Sequence, residues 1–264
     1  MRIGVLGCAG RMGRANLREI LGTTGVGLSG GVDRPGQPPE DLGVMAGLDP
    51  VGLVAGSDPA ALIAASDVVI EFSTPEASLA HARLCAECGC AHVVGTTGLT
   101  PEQDAELAGL AQRIPIVRAA NMSLGVNLLL GLVQQVAGIL DDEFDIEIVE
   151  MHHKHKVDAP SGTALALGRA AAAGRGVAPA EAWIRARDGV TGARRTGSIG
   201  FAVLRGGDVV GDHTVLFAGE GERIELTHKA SDRRIYARGA VRAARWAGGR
   251  SPGLYGMADV LGFS

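Results

Sequence analysis

A short stretch of the chain concentrates side chains that transfer protons and bind anions. It reads His152-His153-Lys154-His155-Lys156, so three of the seven histidines and two lysines occupy five positions. Only three of the 25 cationic side chains are lysines, and the rest are arginines. A lysine ammonium can release a proton, whereas a guanidinium does not, and histidine titrates near neutral pH. The cluster predicts a site that binds an anion and moves protons, with a solvated basic loop as the simpler alternative.

An anion receptor is predicted just after this cluster. Pro160-Ser161-Gly162-Thr163 opens a helical pattern, and the first amides of a helix have no partners within it. We expect the N–H groups of Gly162 and Thr163, with the Thr163 hydroxyl, to bind a carboxylate or phosphate. Together with Lys156, this receptor indicates a small anionic substrate. A helix cap without a ligand is the alternative.

A glycine-rich loop near the N-terminus is suited to a dinucleotide. The segment Gly7-Cys8-Ala9-Gly10-Arg11-Met12-Gly13 lies between a predicted strand and a predicted helix, where glycines let the backbone approach a pyrophosphate. Asp33, at the end of the next predicted strand, is suited to the adenosine ribose. Arg34 is suited to a 2′-phosphate, so NADH and NADPH both stay open. Gly95-Thr96-Thr97 is expected to face the nicotinamide side. Ordinary turns are the alternative at these positions.

Metal binding is not favoured by the sequence. Two lysines among the clustered histidines would repel a cation, and Glu150 is the only acid next to them. Cys85, Cys88 and Cys90 form a Cys-x-x-Cys-x-Cys cluster, but no fourth ligand lies near them in the sequence. We therefore expect no metal and interpret these cysteines as buried structural thiols.

The first half of the chain alternates strands and helices, which indicates a parallel sheet covered by helices. The predicted strands are residues 2–6, 26–33, 51–55, 68–72, 92–94 and 114–118. The predicted helices are residues 11–21, a segment that begins at Asp58-Pro59, residues 75–88, and a segment opened by the capping box Thr100-Pro101-Glu102-Gln103. Residues 35–49 are predicted to form a loop.

The rhythm changes after Asn121. Helices are predicted at residues 124–140, 161–173 and 233–246, with strands at 144–151, 199–205, 208–218 and 223–227 and a polar loop at 185–198. His152 and His153 are expected to end a strand and to point to opposite sides. Closely spaced strands favour an open sheet, so a second, α+β domain is predicted.

Composition excludes several classes of protein. Hydrophobic residues make up 46% of the chain, so a substantial core is available, and a net charge of −4 argues against a general nucleic-acid binder. No apolar run approaches the length of a membrane span, and the start does not resemble a signal peptide. The sequence predicts a cytoplasmic protein with neither nucleic acid nor membrane as a partner.

Residues 150–164, read as E-M-H-H-K-H-K-V-D-A-P-S-G-T-A, closely resemble the signature of the 4-hydroxy-tetrahydrodipicolinate reductase (dihydrodipicolinate reductase) family. The resemblance extends over nearly the whole chain, through V-L-G-C-A-G-R-M-G at 5–13, V-G-T-T-G at 94–98, A-A-N-M-S-L-G-V-N at 119–127, G-S-I-G-F-A at 197–202 and T-H-K-A-S at 227–231. The histidine motif is highly specific, whereas the glycine loop is not.

The resemblance implies an oxidoreductase of the diaminopimelate route to lysine that reduces 4-hydroxy-tetrahydrodipicolinate with hydride from NADPH or NADH. It implies that His152 is the proton donor and acceptor and Lys156 the second proton donor. His153, Gly162 and Thr163 match the contacts to the substrate carboxylates. The cofactor contacts it implies are Gly7, Cys8, Ala9, Gly10, Arg11, Met12, Asp33, Arg34, Gly95, Thr96, Thr97, Ala119, Ala120, Asn121 and Met122.

The family fold implied is α/β, with an N-terminal Rossmann-type dinucleotide-binding domain and a second α+β substrate and oligomerisation domain on an open mixed sheet. The predicted boundaries are residues 1–123 with 234–264, and residues 124–233. The implied partners are a small dicarboxylate substrate and three further copies in a homotetramer. Two other functions stay open from the residues alone: a non-catalytic, nucleotide-sensing Rossmann protein and a zinc hydrolase.

Overall fold

A computed structural model describes residues 1–36 and 39–263. Residues 37 and 38 of the predicted 35–49 loop lie outside the described residues. The chain forms two compact units, the first comprising Met1–Leu124 and the C-terminal residues from Arg234, and the second comprising Gly125–Arg233. Each unit contains its own sheet.

The first unit is built on a parallel sheet covered by helices, as predicted. Its strands are β1 Arg2–Leu6, β2 Gly27–Val32, β3 Val68–Glu71, β4 Ala91–Val94, β5 Pro115–Arg118 and β11 Gly253–Tyr255, in the order β11-β5-β4-β3-β1-β2. All of these pairings are parallel. Its helices are α1 Arg11–Gly22, α2 Leu42–Met45, α3 Pro59–Ala64, α4 Pro75–Cys88, α5 Pro101–Leu110, α9 Arg234–Ala247 and α10 Met257–Leu261.

Both faces of this sheet are buried, which explains why its strands are almost continuously apolar. Val5 belongs to one buried cluster with Leu17 of α1 and Ala240 of α9. The next residue, Leu6, belongs to a second cluster with Leu79 of α4. Successive side chains of a strand point to opposite faces, so β1 contributes to both cores.

Local capping signals place several helix ends where the sequence predicts them. The Asp58 carboxylate accepts a hydrogen bond from the Ala61 N–H at 3.1 Å and caps α3. Thr100 and Gln103 form both bonds of a capping box at the start of α5. Gly89 ends α4 in the left-handed region with φ of 71°, a conformation that glycine adopts without steric cost.

Two predicted elements between β2 and α3 are wrong. The predicted 35–49 loop contains the short helix α2, which Asp41 caps by accepting from the Gly43 N–H at 2.8 Å. The predicted strand at residues 51–55 does not form, because Val54 makes only an isolated bridge to Asp41. The Asp41 carboxylate also accepts from the Val51 and Gly52 N–H groups, so side-chain bonds replace a strand ladder here.

The second unit is built on a mixed sheet, also as predicted. Its strands are β6 Asp145–His152, β7 Trp183–Ile184, β8 Ile199–Arg205, β9 Gly211–Gly219 and β10 Glu222–Ala230, in the order β10-β9-β6-β8-β7. Strand β6 pairs parallel with β8 and antiparallel with β9. Its helices are α6 Leu124–Ile139, α7 Gly162–Gly174 and α8 Pro179–Ala182. Strand β6 ends at His152, so the prediction that His153 also belongs to the strand is wrong.

Strand β6 alternates between buried and partly exposed side chains. Ile146 and Ile148 lie in the core with Val133 of α6 and Leu167 of α7. The same face then becomes polar, because two residue steps place Glu150 and His152 on it as well. His152 is therefore held at the edge of an apolar core.

The described helices are too short or too polar to cross a membrane. The longest of them, α6, has 16 residues, fewer than the ~20 that a bilayer core requires.

Candidate active site

Glycines shape the loop between β1 and α1. Gly7 has φ of +72°, and a Cβ added at Gly13 would lie 2.1 Å from the Gly7 carbonyl oxygen. Only glycine at position 13 lets α1 begin this close to the loop. Gly10 caps α1 without any side-chain hydrogen bond. The first turn of α1 therefore has no side-chain acceptor at its cap, an arrangement that favours a bound anion.

A cavity of about 590 Å³ opens beside this loop. Five of the predicted cofactor residues line it: Gly7, Ala9, Gly10, Asp33 and Arg34. Asp33 Oδ2 accepts a hydrogen bond from the Ala9 N–H at 2.8 Å, and Oδ1 accepts from the Arg34 N–H at 2.8 Å. These two bonds hold the end of β2 against the glycine loop.

Four predicted cofactor residues are buried: Gly95 and three residues with side chains. Cys8 is 0% exposed, Met122 1% and Thr96 4%. Thr96 Oγ1 accepts from the Ser73 N–H at 3.0 Å and lies 2.6 Å from Ser78 Oγ. Burial raises the pKa of the Cys8 thiol to about 11. In this structure the side chains of these residues contribute to packing and to the loop framework.

The remaining predicted cofactor contacts follow three strands of the first sheet. Parallel strands bring their carboxyl ends to one edge of a sheet, so these segments lie along the same edge. They are Arg11 and Met12 after β1, Gly95 and Thr97 after β4, and Ala119, Ala120 and Asn121 after β5. The structure leaves their contact with a cofactor as a prediction.

Other residues line the cavity that the sequence did not single out. They include Arg14, Phe72, Ser73, Thr74 and His81. Arg14 follows Gly10 by one helical turn, and its Nε donates to the Ala9 carbonyl at 3.0 Å. The spacing of four residues from Gly10 is the sequence pattern that could have identified Arg14 as a residue of this site. The Phe72–Thr74 segment reaches the cavity because β3 pairs directly with β1.

A buried carboxylate supports the wall of this cavity. Glu71 is 0% exposed, with Oε1 2.8 Å from His81 Nδ1 and Oε2 3.0 Å from His92 Nε2. Burial acts to raise its pKa, but the hydrogen bonds from the two histidines outweigh burial and lower the pKa to about 2. The sequence pattern that could have identified Glu71 is an acidic residue within the otherwise apolar strand Val68–Glu71.

In the second unit, a buried carboxylate orients His152. Glu150 Oε2 lies 2.6 Å from His152 Nδ1. Arg205 donates to both oxygens of Glu150, from Nη1 at 2.8 Å and from Nη2 at 3.0 Å. The Ser161 N–H donates to Glu150 Oε1 at 3.0 Å. The sequence pattern singled out Glu150 only as the one acidic residue beside the histidines, and it did not point to Arg205.

A second buried histidine lies beside His152. The rings of His152 and His213 have centroids 5.1 Å apart and an interplanar angle of 75°. His213 Nε2 lies 3.0 Å from Ser161 Oγ, which also accepts the Ala164 N–H and so caps α7. Burial, with the nearby charge of His152, lowers the pKa of His213 to about 4. His213 is therefore neutral at neutral pH.

The other clustered residues lie at the surface. His153, Lys154 and His155 line an open cavity of about 540 Å³ with Gly207 and Asp208. The His153 N–H donates to the Val209 carbonyl at 2.8 Å, which ties the segment to the connection between β8 and β9. His152 is 8% exposed, whereas His153 is half-buried and lies beyond the end of β6, so the opposite orientation of the two side chains stays a prediction.

Lys156 and the start of α7 follow the same turn. Lys156 Nζ donates to Asp158 Oδ1 at 2.7 Å, and this bond lowers the pKa of Asp158. Gly162 is exposed and Thr163 half-buried in the first turn of α7. The second unit thus holds His152, Lys156 and this first turn on one short segment of chain. It can offer an imidazole, an ammonium and backbone amides to an anion.

Metal ligands and disulfides do not organise the part of the chain that the structure describes. It holds no group of three or more His, Cys, Asp or Glu side chains arranged to bind a metal. All four cysteines are free, and Cys8, Cys85 and Cys90 are buried. Cys88 is exposed, so its interpretation as a buried structural thiol is wrong. Cys88 is the last residue of α4, directly before Gly89.

Comparison with known proteins gives one consistent result. The family model described as "Dihydrodipicolinate reductase, N-terminus" matches residues 1–122, and "Dihydrodipicolinate reductase, C-terminus" matches residues 125–261. A 4-hydroxy-tetrahydrodipicolinate reductase of Rhodopseudomonas palustris is 58% identical over 100% of this chain and 98% of that protein. One from Parvibaculum lavamentivorans is 57% identical over 99% of this chain and 98% of that protein.

Solved structures agree with the sequence comparison. A dipicolinate-bound dihydrodipicolinate reductase from Paenisporosarcina sp. TG-14 has a TM-score of 0.78 and 26% identity, covering 98% of both chains. A probable dehydrogenase from Thermotoga maritima has a TM-score of 0.62 at 12% identity, covering 100% of this chain and 93% of that one, and shows a shared fold alone.

Proposed function

The chain belongs to the dihydrodipicolinate reductase family, and from that premise we propose that it reduces 4-hydroxy-tetrahydrodipicolinate to tetrahydrodipicolinate with NADPH or NADH. The reaction is a step of the diaminopimelate route to lysine. The observation that carries the assignment to a site is the buried Glu150–His152 pair, which lies on the same segment as Lys156 and the first turn of α7. A non-catalytic nucleotide sensor has no need of this arrangement.

The first unit supplies a site that fits a dinucleotide. Gly13 leaves the space that a Cβ would fill, Gly10 leaves the first turn of α1 without a side-chain cap, and Asp33 closes the end of β2. When bound, the reduced nicotinamide supplies the hydride. Asp33 is suited to accept hydrogen bonds from the ribose, and Arg34 is suited to a 2′-phosphate. Both side chains line the cavity, which supports the use of either cofactor.

The second unit supplies the protons. After the 4-hydroxyl leaves as water, hydride addition at C4 produces an electron-rich enamine that must take up a proton. His152 is the group proposed to donate it, from the ring nitrogen that does not contact Glu150. Lys156 is proposed as the second proton donor, since its ammonium forms only one hydrogen bond among those described, to Asp158.

Substrate carboxylates are proposed to bind close to these donors. The N–H groups of Gly162 and Thr163 lie at the positive end of α7, where an anion is stabilised. His153 and Lys156 add cationic or hydrogen-bonding side chains on the preceding turn. These groups are complementary in charge to a small dicarboxylate.

We propose that the open face of the second sheet forms a homotetramer. α6 and α7 pack on one face of this sheet, and the alternation of β6 places Val149 and Met151 on the other face. Leu204 of β8, which pairs with Met151, lies on that face and is 50% exposed. Light scattering of the wild type and of Leu204→Asp tests the assembly, and an unaltered mass in the variant would contradict this interface.

We also expect a cytoplasmic location, because four free cysteines suit a reducing compartment.

A spectrophotometric assay tests the proposed reaction. Freshly prepared substrate should cause loss of the absorbance of reduced nicotinamide, and a chelator should leave the rate unchanged. His152→Ala should lower kcat by about 10²–10⁴-fold, the range for a lost general acid. No turnover by the wild type would reject the reductase. Inactivation by the chelator would instead show that the reaction depends on a metal ion.

A further inference from the structure

Glu150 determines which ring nitrogen of His152 carries a hydrogen. An ionised carboxylate only accepts hydrogen bonds, so the 2.6 Å contact places the hydrogen on Nδ1. Burial acts to raise the pKa of Glu150, but hydrogen bonds from Arg205, His152 and the Ser161 N–H hold it below its usual range. Glu150 is therefore ionised at neutral pH and keeps this role.

The space around His152 Nε2 is left open by a glycine. A Cβ added at Gly211 of β9 would lie 3.0 Å from His152 Nε2, closer than an ordinary van der Waals contact. Glycine at this position keeps one side of Nε2 free of side-chain atoms. The ring is thus held through Nδ1 by the carboxylate, while its second nitrogen has room for a reacting group.

We propose that Glu150 and Arg205 are positioning residues for His152: Glu150 fixes the Nδ1–H tautomer and aims Nε2, and Arg205 fixes the carboxylate. The hydrogen bonds run from Arg205 through Glu150 to the imidazole, and both Nη1 and Nη2 of Arg205 donate to the carboxylate. A fork of two parallel bonds sets the plane of a carboxylate, which a single bond does not. The effect of this arrangement on catalysis rests on the proposed function, whereas the tautomer of His152 does not.

Several charged groups surround these hydrogen bonds. His152 meets Glu150 on its own strand, Arg205 acts from β8 through Glu150, and His213 faces the ring from β9. Lys156 and Asp158 lie on the following turn, as the ion pair already described, and His228 of β10 pairs in register with His213. Glu150 is the only carboxylate within hydrogen-bond distance of the His152 ring among the described contacts.

The same carboxylate also holds the start of α7. The Ser161 N–H donates to Glu150 Oε1, and the Ser161 hydroxyl caps α7 through the Ala164 N–H. Glu150 therefore connects the proposed proton donor to the proposed carboxylate receptor. A glutamine at this position retains one carbonyl oxygen for the Ser161 N–H but presents an NH₂ group where Oε2 now meets Nδ1.

NMR of the ligand-free protein tests the tautomer directly. In protein with nitrogen-labelled histidine, long-range proton–nitrogen correlations distinguish Nδ1–H from Nε2–H, and His152→Asn identifies the signal. We expect Nδ1–H for neutral His152 in the wild type and a shift toward Nε2–H in Glu150→Gln. Glu147→Gln is the matched control, because Glu147 also lies on β6 and also accepts bonds from two arginines, Arg187 and Arg194. Its His152 signal should match the wild type.

Kinetics test the catalytic consequence. Glu150→Gln should lower kcat by about 10–100-fold, as expected for a group that orients another, with KM changed by less than about threefold. A merely structural role would not lower kcat while leaving KM unchanged. Glu147→Gln should keep the wild-type kcat and KM.

A second variant guards against misfolding of Glu150→Gln. Arg205→Lys keeps the positive charge and loses the fork, so it should lower kcat about tenfold and broaden the His152 signal between the two tautomers. Nε2–H in the wild type would overturn the inference without any variant. A wild type that turns over substrate while both variants retain its kcat would also overturn it. Absence of turnover in the wild type would instead reject the proposed function.

Discussion

Glu71 Oε2 lies 3.0 Å from His92 Nε2, and neither side chain is exposed to solvent. The second oxygen of Glu71 meets His81 Nδ1 at 2.8 Å, and Ser73 Oγ donates to the same oxygen. This carboxylate thus connects β3, β4 and α4 through buried polar contacts. It also holds His81 against the wall of the proposed cofactor cavity.

This pairing predicts acid sensitivity of the first unit. The pKa of Glu71 is about 2 in the folded protein and 4.5 ordinarily. A depressed folded pKa means that the stabilisation is fully present above pH 4.5 and is lost as the pH falls toward 2. Glu71→Gln should lower the free energy of unfolding at neutral pH by on the order of 3 kcal/mol and flatten its decline with acid.

Denaturant unfolding at a series of pH values measures this effect. Glu106→Gln is the control, because Glu106 pairs with Arg83 at 2.6 Å on the surface between α4 and α5. That variant should follow the wild-type curve closely, as expected for an exposed ion pair. A Glu71→Gln curve as steep as that of the wild type would assign the acid response to other groups.

Gly13→Ala should weaken cofactor binding. The added Cβ would lie 2.1 Å from the Gly7 carbonyl oxygen, so the loop must move away from the first turn of α1. We expect the KM for reduced nicotinamide to rise by about tenfold or more, since the anion site depends on this approach. Gly22→Ala, on the same helix, is the control because a Cβ there meets no atom within 4 Å. Equal KM values for the two variants would argue against a cofactor at this loop.

Lys156 should be sensitive to the kind of cation. Lys156→Ala should raise the substrate KM and lower kcat, the latter by about 10²-fold for a lost proton donor. Lys156→Arg should restore KM while kcat stays low, because guanidinium attracts the carboxylate but retains its proton. Steady-state kinetics with both variants separate the two effects. Full recovery of kcat with arginine would assign Lys156 to charge attraction alone.

Arg34 should discriminate between the two cofactors. Removing a charge-assisted contact to the 2′-phosphate in Arg34→Ala should raise the KM for NADPH by about tenfold. The KM for NADH, which has no such phosphate, serves as the internal control and should change little. A parallel rise for both cofactors would place Arg34 at a shared part of the dinucleotide.

One thiol per chain should react in the folded protein. Cys88 is exposed, whereas Cys8, Cys85 and Cys90 are buried. Burial raises the pKa of Cys8 to about 11, and the hydrogen bond with Cys90, followed by burial, raises that of Cys85. Titration with a thiol reagent should therefore give one fast equivalent, which Cys88→Ser removes. Rapid reaction of further thiols would contradict the buried positions.

Local signals in the sequence carried much of the fold. Asp58 and Thr100 cap helices where the pattern predicts, because a cap bonds to amides two or three residues away. The alternation of apolar strands and helices is likewise visible along the chain, and it indicated the parallel sheet. The prediction at residues 51–55 was wrong because Asp41, ten residues earlier, takes the backbone N–H of Val51. Apolar spacing does not encode that competition.

For the candidate site, the sequence by itself determined which residues are available and which of them are neighbours along the chain. His152, Lys156, Gly162 and Thr163 lie within one short segment, so their grouping needed only their order. Tertiary structure alone decided that Arg205, 55 residues from Glu150, closes a fork on it, and that His213, 52 residues from Ser161, packs beside His152. These partners meet through the register of β6 with β8 and β9, which depends on the packing of the whole sheet and not on distance along the chain.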